Sequence, residues 1–316
     1  MTRPSRVLVL GASGFVGRSV CACLAGRGVA VRALTRDTLK ARPLQVIASL
    51  DLMAGTPHDD GDLARALDGV DAVVNLVGIL HQSRREPFEK VHARLPARLA
   101  RACRAAGVRR LVHVSALNAD PAGPSEYLRS RGRGEAALRE EGAGLAITIL
   151  KPSVIFGRDD SFLNLFAGLV KPLPVVPLAG AGVRFQPVWV EDVARAVAHC
   201  LEEPRTAGRT YDLCGPTAYT LAQIVRFVAA QQGLRRAIVA LPGWVAYAQA
   251  FVLEHLPGPV MTRDNLASMK AESVCGCPFP PEFGFEPAAM EAVVPEYMAA
   301  AGLRGRYAAY RGRTGR

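Results

Sequence analysis

The chain predicts an α/β fold in which a doubly wound parallel sheet is followed by a smaller, mostly helical C-terminal domain. Three observations carry this expectation. Short apolar runs alternate with helix-length segments through the first half, a glycine loop closes the first run, and after Leu150 the alternation gives way to proline-broken pattern. At 316 residues the chain suits one large domain and a smaller companion, and a composition of 50% hydrophobic and 21% charged residues is that of a packed globular protein.

The first run, residues 7–10, has no polar position and reads as a strand buried on both faces. It ends on Gly11, Gly14 and Gly17 at G-x-x-G-x-x-G spacing, with Ser13 inside the loop and Phe15 and Val16 opening a helix. Gly11 permits a tight turn, Gly14 lets backbone amides approach a pyrophosphate, and Gly17 lets the helix pack close to the strand. The helix N-terminus then offers unpaired N–H groups and a partial positive charge to phosphates. Further runs follow at residues 30–34, 46–50, 72–76, 111–114 and 147–150, with helical patterns at 62–67, 87–106 and 125–141. Same-handed crossovers build such a pattern into a Rossmann-type parallel sheet, whose ligands bind beyond the C-terminal strand ends.

Beyond Leu150, Pro172, Pro174, Pro177, Gly180 and Gly182 mark irregular chain. Residues 184–190 read as a strand, 191–202 as a helix and 211–213 as a further strand. From Thr220 onward the pattern is helical, broken at Pro242, Pro257, Pro259, Pro278, Pro280 and Pro281. The expected organisation is a dinucleotide-binding domain over 1–155, to which 185–214 returns, a smaller domain over 156–303, and a basic tail over 304–316.

Net charge is +11, and five arginines in the acid-free tail account for nearly half of it. The tail is either simply solvated or meets an anionic membrane surface or an acidic partner. No zinc finger, aromatic ribonucleoprotein motif or basic recognition helix is present in the sequence, so nucleic acid is not expected as a partner. The first strand begins too early for a secretory signal, and residues 244–256 are too short to span a bilayer and carry Glu254 and His255, which suits an amphipathic helix. The seven cysteines read as small hydrophobes in a reducing cytoplasm rather than as a disulfide framework or zinc site, and no metal site is expected. Location is therefore expected to be cytoplasmic, peripheral on the inner face of a membrane if the tail binds one.

The strand ends carry the chemistry. Thr35 and Arg36 close the second run, where a guanidinium suits an adenosine 2′-phosphate and favours NADP(H), while Asp37, as a ribose-binding acid, would suit NAD(H). Asp51, past the third run, is an adenine contact or a turn carboxylate. Val77 and Gly78 follow the fourth run, where backbone passes close to a cofactor. Ser115 follows the fifth, and the segment SEYLRSRGRGE places Tyr127 and Arg131 four apart on one helical face.

The glycine loop, the VHVSA run and the tyrosine-led helix resemble the short-chain dehydrogenase superfamily, in its extended and atypical epimerase-like members. That resemblance implies a tyrosine acid or base, a lysine four residues later that lowers its pKa and holds the nicotinamide ribose, and a serine that orients the substrate. Ser115 and Tyr127 match, but Arg131 stands in the lysine's place. A guanidinium would still favour a phenolate, yet it does not give up a proton, so the catalytic set is expected to be impaired or absent. The segments GASGFVGR, DAVVNLVGIL, YLRSRGRGE, LKPSVIFGRDDSFLN and FQPVWVEDVARAVAHCL are similar to one branch, typified by the nucleotide-binding accessory subunit of respiratory complex I and its bacterial relatives. The branch implies a held NADPH, often without turnover, and a link to quinone biosynthesis or respiratory assemblies. It also carries Pro152 and Val154, in the segment with Lys151 and Ser153, as backbone contacts to the nicotinamide. Two functions compete: a cofactor holder in a membrane-associated redox or quinone system, and an active NAD(P)-dependent reductase or epimerase/dehydratase acting on a small carbonyl or hydroxyl compound. An interaction scaffold with an empty site is a third reading that the intact glycine loop disfavours.

Overall fold

The structure, a computed structural model, describes residues 4–255 and 261–298, so the basic tail lies outside the described residues. The chain divides into two compact units. One comprises Met1–Pro152, Val190–Leu213 and Pro280–Phe285; the other comprises Ser153–Trp189, Cys214–Phe279 and Glu286–Arg316.

The first unit holds β1 (Arg6–Leu10), β2 (Ala30–Thr35), β3 (Leu50–Ala54), β4 (Ala72–Asn75), β5 (Arg110–Val114) and β6 (Ala146–Pro152), joined by the strand Thr210–Leu213. The sheet order is β3-β2-β1-β4-β5-β6 and then Thr210–Leu213, with every pair parallel. This is the Rossmann-type arrangement, with the reversal in strand order between β1 and β4. Helices α1 (Phe15–Gly26), α2 (Asp60–Leu67), α3 (Leu95–Ala105) and α4 (Glu126–Glu141) alternate with the strands.

Central strands buried on both faces must be apolar throughout, and Val7, Leu8, Val9 and Leu10 are each wholly inaccessible. Leu8 and Leu10 pack with Leu63, Leu67, Leu99, Leu111, Leu138 and Ile149 in one cluster. Each such side chain contributes about 2 kcal/mol of apolar burial. On α1, Val20, Cys21 and Leu24 are buried, and this helix contacts the helix Val190–Glu202, with Ser19 bonded to Glu191 and Arg27 to Glu202. Asp59 caps α2 through Asp62 N–H, and Ser125 caps α4 through Leu128 N–H, each cap contributing about 1 kcal/mol.

Three expectations are corrected. The third strand is Leu50–Ala54 rather than 46–50, because Pro43 starts a 3₁₀ turn over Arg42–Val46 that leaves Val46 exposed. The run 184–190 breaks at Gln186 and Pro187 into Arg184–Phe185, antiparallel to Tyr219–Thr220, and Val188–Trp189, parallel to Ile155–Phe156. The cysteine reading fails at one pair: Cys214 and Cys275, 61 residues apart, form a disulfide. The Gln186 amide braces it, donating to Gly215 O and accepting from Cys275 N–H. Cys21, Cys103 and Cys200 are buried, with thiols that burial raises to about 12.

The second unit gathers its core around Phe156, Leu163, Phe166, Ile224 and Val228. Helices Phe162–Val170 and Leu221–Gln231 supply most of it, the latter started by a reciprocal Thr220–Gln223 capping box. Among the described residues no helix is long and apolar enough to cross a membrane.

Candidate functional site

The tips of β1 and β4 meet at the reversal in strand order. Gly11 has φ +82°, a conformation glycine adopts without strain, and a Cβ there would press on Leu76 and Val77 backbone at 3.1 to 3.2 Å. Gly17 abuts the Gly11–Ala12 backbone so closely that any side chain would collide with Gly11 O. Gly14 is the exposed N-cap of α1, its amide donating to Gly11 O at 3.0 Å. The loop therefore presents the start of α1 with no capping side chain and no acid in its first turn. Ser13, Phe15 and Val16 are partly exposed around it. Such a cradle of backbone donors at a helix N-terminus fits a pyrophosphate.

Beside it, Arg36 projects from the end of β2 and pairs with Glu86 from the segment after β4. Thr35 Oγ1 donates to Asp37 O, and the Asp37 carboxylate accepts Leu39 and Lys40 N–H groups, closing its own turn. Asp51 lies elsewhere. The shift of β3 puts it at the N-terminal end of that strand, bonded to Arg32 at 2.9 Å, which removes the adenine reading. The residues that follow β3 are instead Gly55 and Thr56.

At the β4 tip, Asn75 Oδ1 accepts Val77 N–H, so that amide is spent on the turn. This orients Asn75 Nδ2 toward His113 Nδ1 at 3.1 Å, on the neighbouring β5. Gly78 lies directly against the Arg131 guanidinium, and any side chain at Gly78 would displace it.

Tyr127 and Arg131 are brought together by α4, with Arg131 Cζ 5.5 Å from the phenol ring centroid. Phe88 and His92 pack against the same ring, 5.8 and 5.5 Å between centroids. Neither was legible beforehand, because the helical pattern 87–106 opens as a π-helical segment, Glu89–Arg94, which turns His92 inward. His92 Nε2 accepts Ile79 N–H, so the proton sits on Nδ1 and is donated to Ser130 Oγ, which donates onward to Tyr127 O. Burial, with the Arg131 cation second, drives the His92 imidazole down to about 2 and His113 to about 3, keeping both neutral.

Arg131 is nine-tenths buried and poorly satisfied. Nη1 makes one long bond, 3.4 Å, to Val114 O, and Nε has no hydrogen-bond partner. Arg110, the other buried guanidinium among the described residues of this unit, bonds to Ala146 O, Cys200 O, Thr148 Oγ1 and Thr206 Oγ1. A buried cation left short of acceptors at the strand ends fits the hydroxyls or phosphate of a ligand.

Ser115, expected beside the tyrosine, donates its hydroxyl to the buried Glu135 at 2.5 Å. Glu135 also lies 3.8 Å from Lys151 Nζ and 3.4 Å from Arg139. Pro152 ends β6, while Val154 belongs to the second unit, where its carbonyl accepts Val188 N–H.

A family model for NAD(P)H-binding proteins matches residues 11–204, from the first loop glycine to the end of the Val190–Glu202 helix region. The chain belongs to the NAD(P)H-binding family. The chain is 34% identical over 226 residues to the mouse mitochondrial NADH dehydrogenase [ubiquinone] 1 alpha subcomplex subunit 9, covering 70% of this chain and 59% of that protein. It thus spans about three fifths of the mouse relative's length. Identity to the Neurospora crassa NADH-ubiquinone oxidoreductase 40 kDa subunit is 31% over 262 residues, 82% of this chain and 68% of that one. Among solved structures, the Citrobacter triphenylmethane reductase complexed with NADP(H) superposes with a TM-score of 0.74 at 18% identity, covering 92% and 99% of the two chains. This last likeness is one of fold.

Proposed function

We propose that the protein holds NADP(H) as a structural or regulatory cofactor and serves a membrane-associated redox or quinone system. The single observation that carries this is the state of Arg131. It occupies the place of the proton-relaying lysine, is buried against Tyr127 and Gly78, and as a planar guanidinium is unsuited to a proton relay. Ser115 adds to it, since its hydroxyl is engaged by Glu135. The likeness to complex I subunits supports the membrane-associated setting.

Bound nicotinamide would supply hydride chemistry; the residues of this chain would supply the grip. The amides of Phe15 and Val16, left open by the side-chain-free Gly14, would take the pyrophosphate, and Arg131, short of acceptors, would hold the nicotinamide-side ribose. Arg36 would take the 2′-phosphate, which supports NADP(H) over NAD(H), because Asp37 is already committed to its own turn. Glu86 competes for Arg36. Glu86→Gln should therefore tighten NADPH binding about fivefold, and Arg36→Ala should weaken it about tenfold with little effect on NADH, read by calorimetric titration.

A second reading, an active NAD(P)-dependent reductase or epimerase/dehydratase, draws on the partly exposed Tyr127, whose ring packs beside the Arg131 guanidinium. Steady-state assays with NADPH against quinones and small carbonyl compounds separate the two. Turnover abolished by Tyr127→Phe with unchanged cofactor affinity would establish the enzyme; a retained cofactor that no acceptor oxidises supports the holder.

A further inference from the structure

The helix Gly243–Leu253 of the second unit, GWVAYAQAFVL, lacks the polar face expected of an amphipathic segment: Gln249 is its one amide side chain and it carries no charge. Ala246 and Ala250 are buried on one side. Trp244, Tyr247, Phe251 and Val252 recur at helical spacing on the other, and are 78%, 54%, 47% and 61% exposed. The strand Ala237–Ala240 leads into this helix and pairs with Val175–Leu178, and Val239 and Val175 are exposed there as well. An apolar surface of this extent is a docking face.

Its charge identifies the partner. Residues 161–189 and 214–253 contain no aspartate or glutamate, while Lys171 and Arg235 stand exposed beside the paired strands. Glu254, just past the helix, is ion-paired to Arg263, whose guanidinium lies over Phe251 and Tyr247 at 5.0 and 5.9 Å. We propose that this face docks on an anionic phospholipid bilayer, with the aromatic stripe in the headgroup region and Lys171 and Arg235 against lipid phosphates. Trp and Tyr side chains favour that region, each nearby cation adds attraction, and an 11-residue helix lies on a bilayer rather than across it. A second copy would bring the same cations face to face, and the arginine-rich tail would meet them with like charge. The surface stands independently of the dinucleotide reading, and its test reads lipid rather than cofactor.

The chain has two tryptophans, so Trp189→Phe leaves Trp244 as the sole reporter. With the full-length variant, Trp244 emission should be red when free, shift blue with phosphatidylcholine vesicles containing phosphatidylglycerol, and be quenched by brominated lipid. Neutral phosphatidylcholine vesicles and high salt should leave it red. In the otherwise wild-type chain, Tyr247→Ala with Phe251→Ser should lower vesicle co-sedimentation at least about tenfold, and Lys171→Glu with Arg235→Glu should abolish the preference for anionic lipid, with unchanged far-UV circular dichroism. An emission unmoved by anionic vesicles, or moved equally by neutral ones, overturns the proposal. So does an emission already blue without lipid that reddens on dilution or on removal of the tail, which would assign the face to a second copy or to the chain itself.

Discussion

At the residue scale, Arg131 links stability and binding with opposite signs. A buried guanidinium with one long hydrogen bond costs desolvation energy that its contacts do not recover. We expect Arg131→Met to stabilise the cofactor-free protein by about 1 kcal/mol in urea denaturation and to weaken cofactor retention. Arg131→Met that both destabilises the empty protein and leaves the cofactor bound would assign the guanidinium a purely structural role. The two neighbouring histidines fix the pH response. Both have native values below the unfolded 6.5, so they bind protons on unfolding; their contribution is complete above pH 6.5 and is lost as pH falls toward 3 and then 2. Each should add a slope of about 1.4 kcal/mol per pH unit between pH 6 and 4. His92→Gln, which can still accept Ile79 N–H, should remove one such slope in denaturation measured across that window.

At the scale of elements, α4 shows how contact overrides propensity. Gly134 in its interior should be a weakness, and alanine there should gain about 1 kcal/mol as a helix former. The helix instead presses on the π-helical segment so closely that a Cβ at Gly134 would collide with His92 O. Gly134→Ala should therefore destabilise by about 2 kcal/mol or more and disturb the Ile79–His92–Ser130 chain, visible as a lower denaturation midpoint. The central strands were legible because burial on both faces demands unbroken apolar sequence, as at Val7 to Leu10. Edge strand β3 makes no such demand: Asp51 and Ala54 are exposed, and the adjoining run 46–50 is the more apolar of the two. The π-helical segment was illegible for a related reason, since one extra residue per turn rotates His92 inward without altering the pattern around it.

At the scale of the whole molecule, sequence spacing located the strand-end glycine loop proposed to take the phosphates and left the packing around Tyr127 half-read. Gly11 and Gly17 follow from a positive φ and a close backbone approach that only glycine tolerates, so spacing alone reports them. Phe88 and His92 reach Tyr127 from a distant segment, and Glu135, although on α4 itself, meets Ser115 only after folding. The Cys214–Cys275 disulfide was hidden in the same way, by a sequence separation of 61. The central claim is that the glycine loop and Arg36 grip NADP(H). Native mass spectrometry of the gently purified full chain tests it most directly. We expect one NADP(H) per chain in the wild type, a reduced share in Arg36→Ala, and none in Gly14→Asp, whose carboxylate would meet the phosphates. A wild-type chain that purifies empty, or with NAD(H) alone, would contradict it.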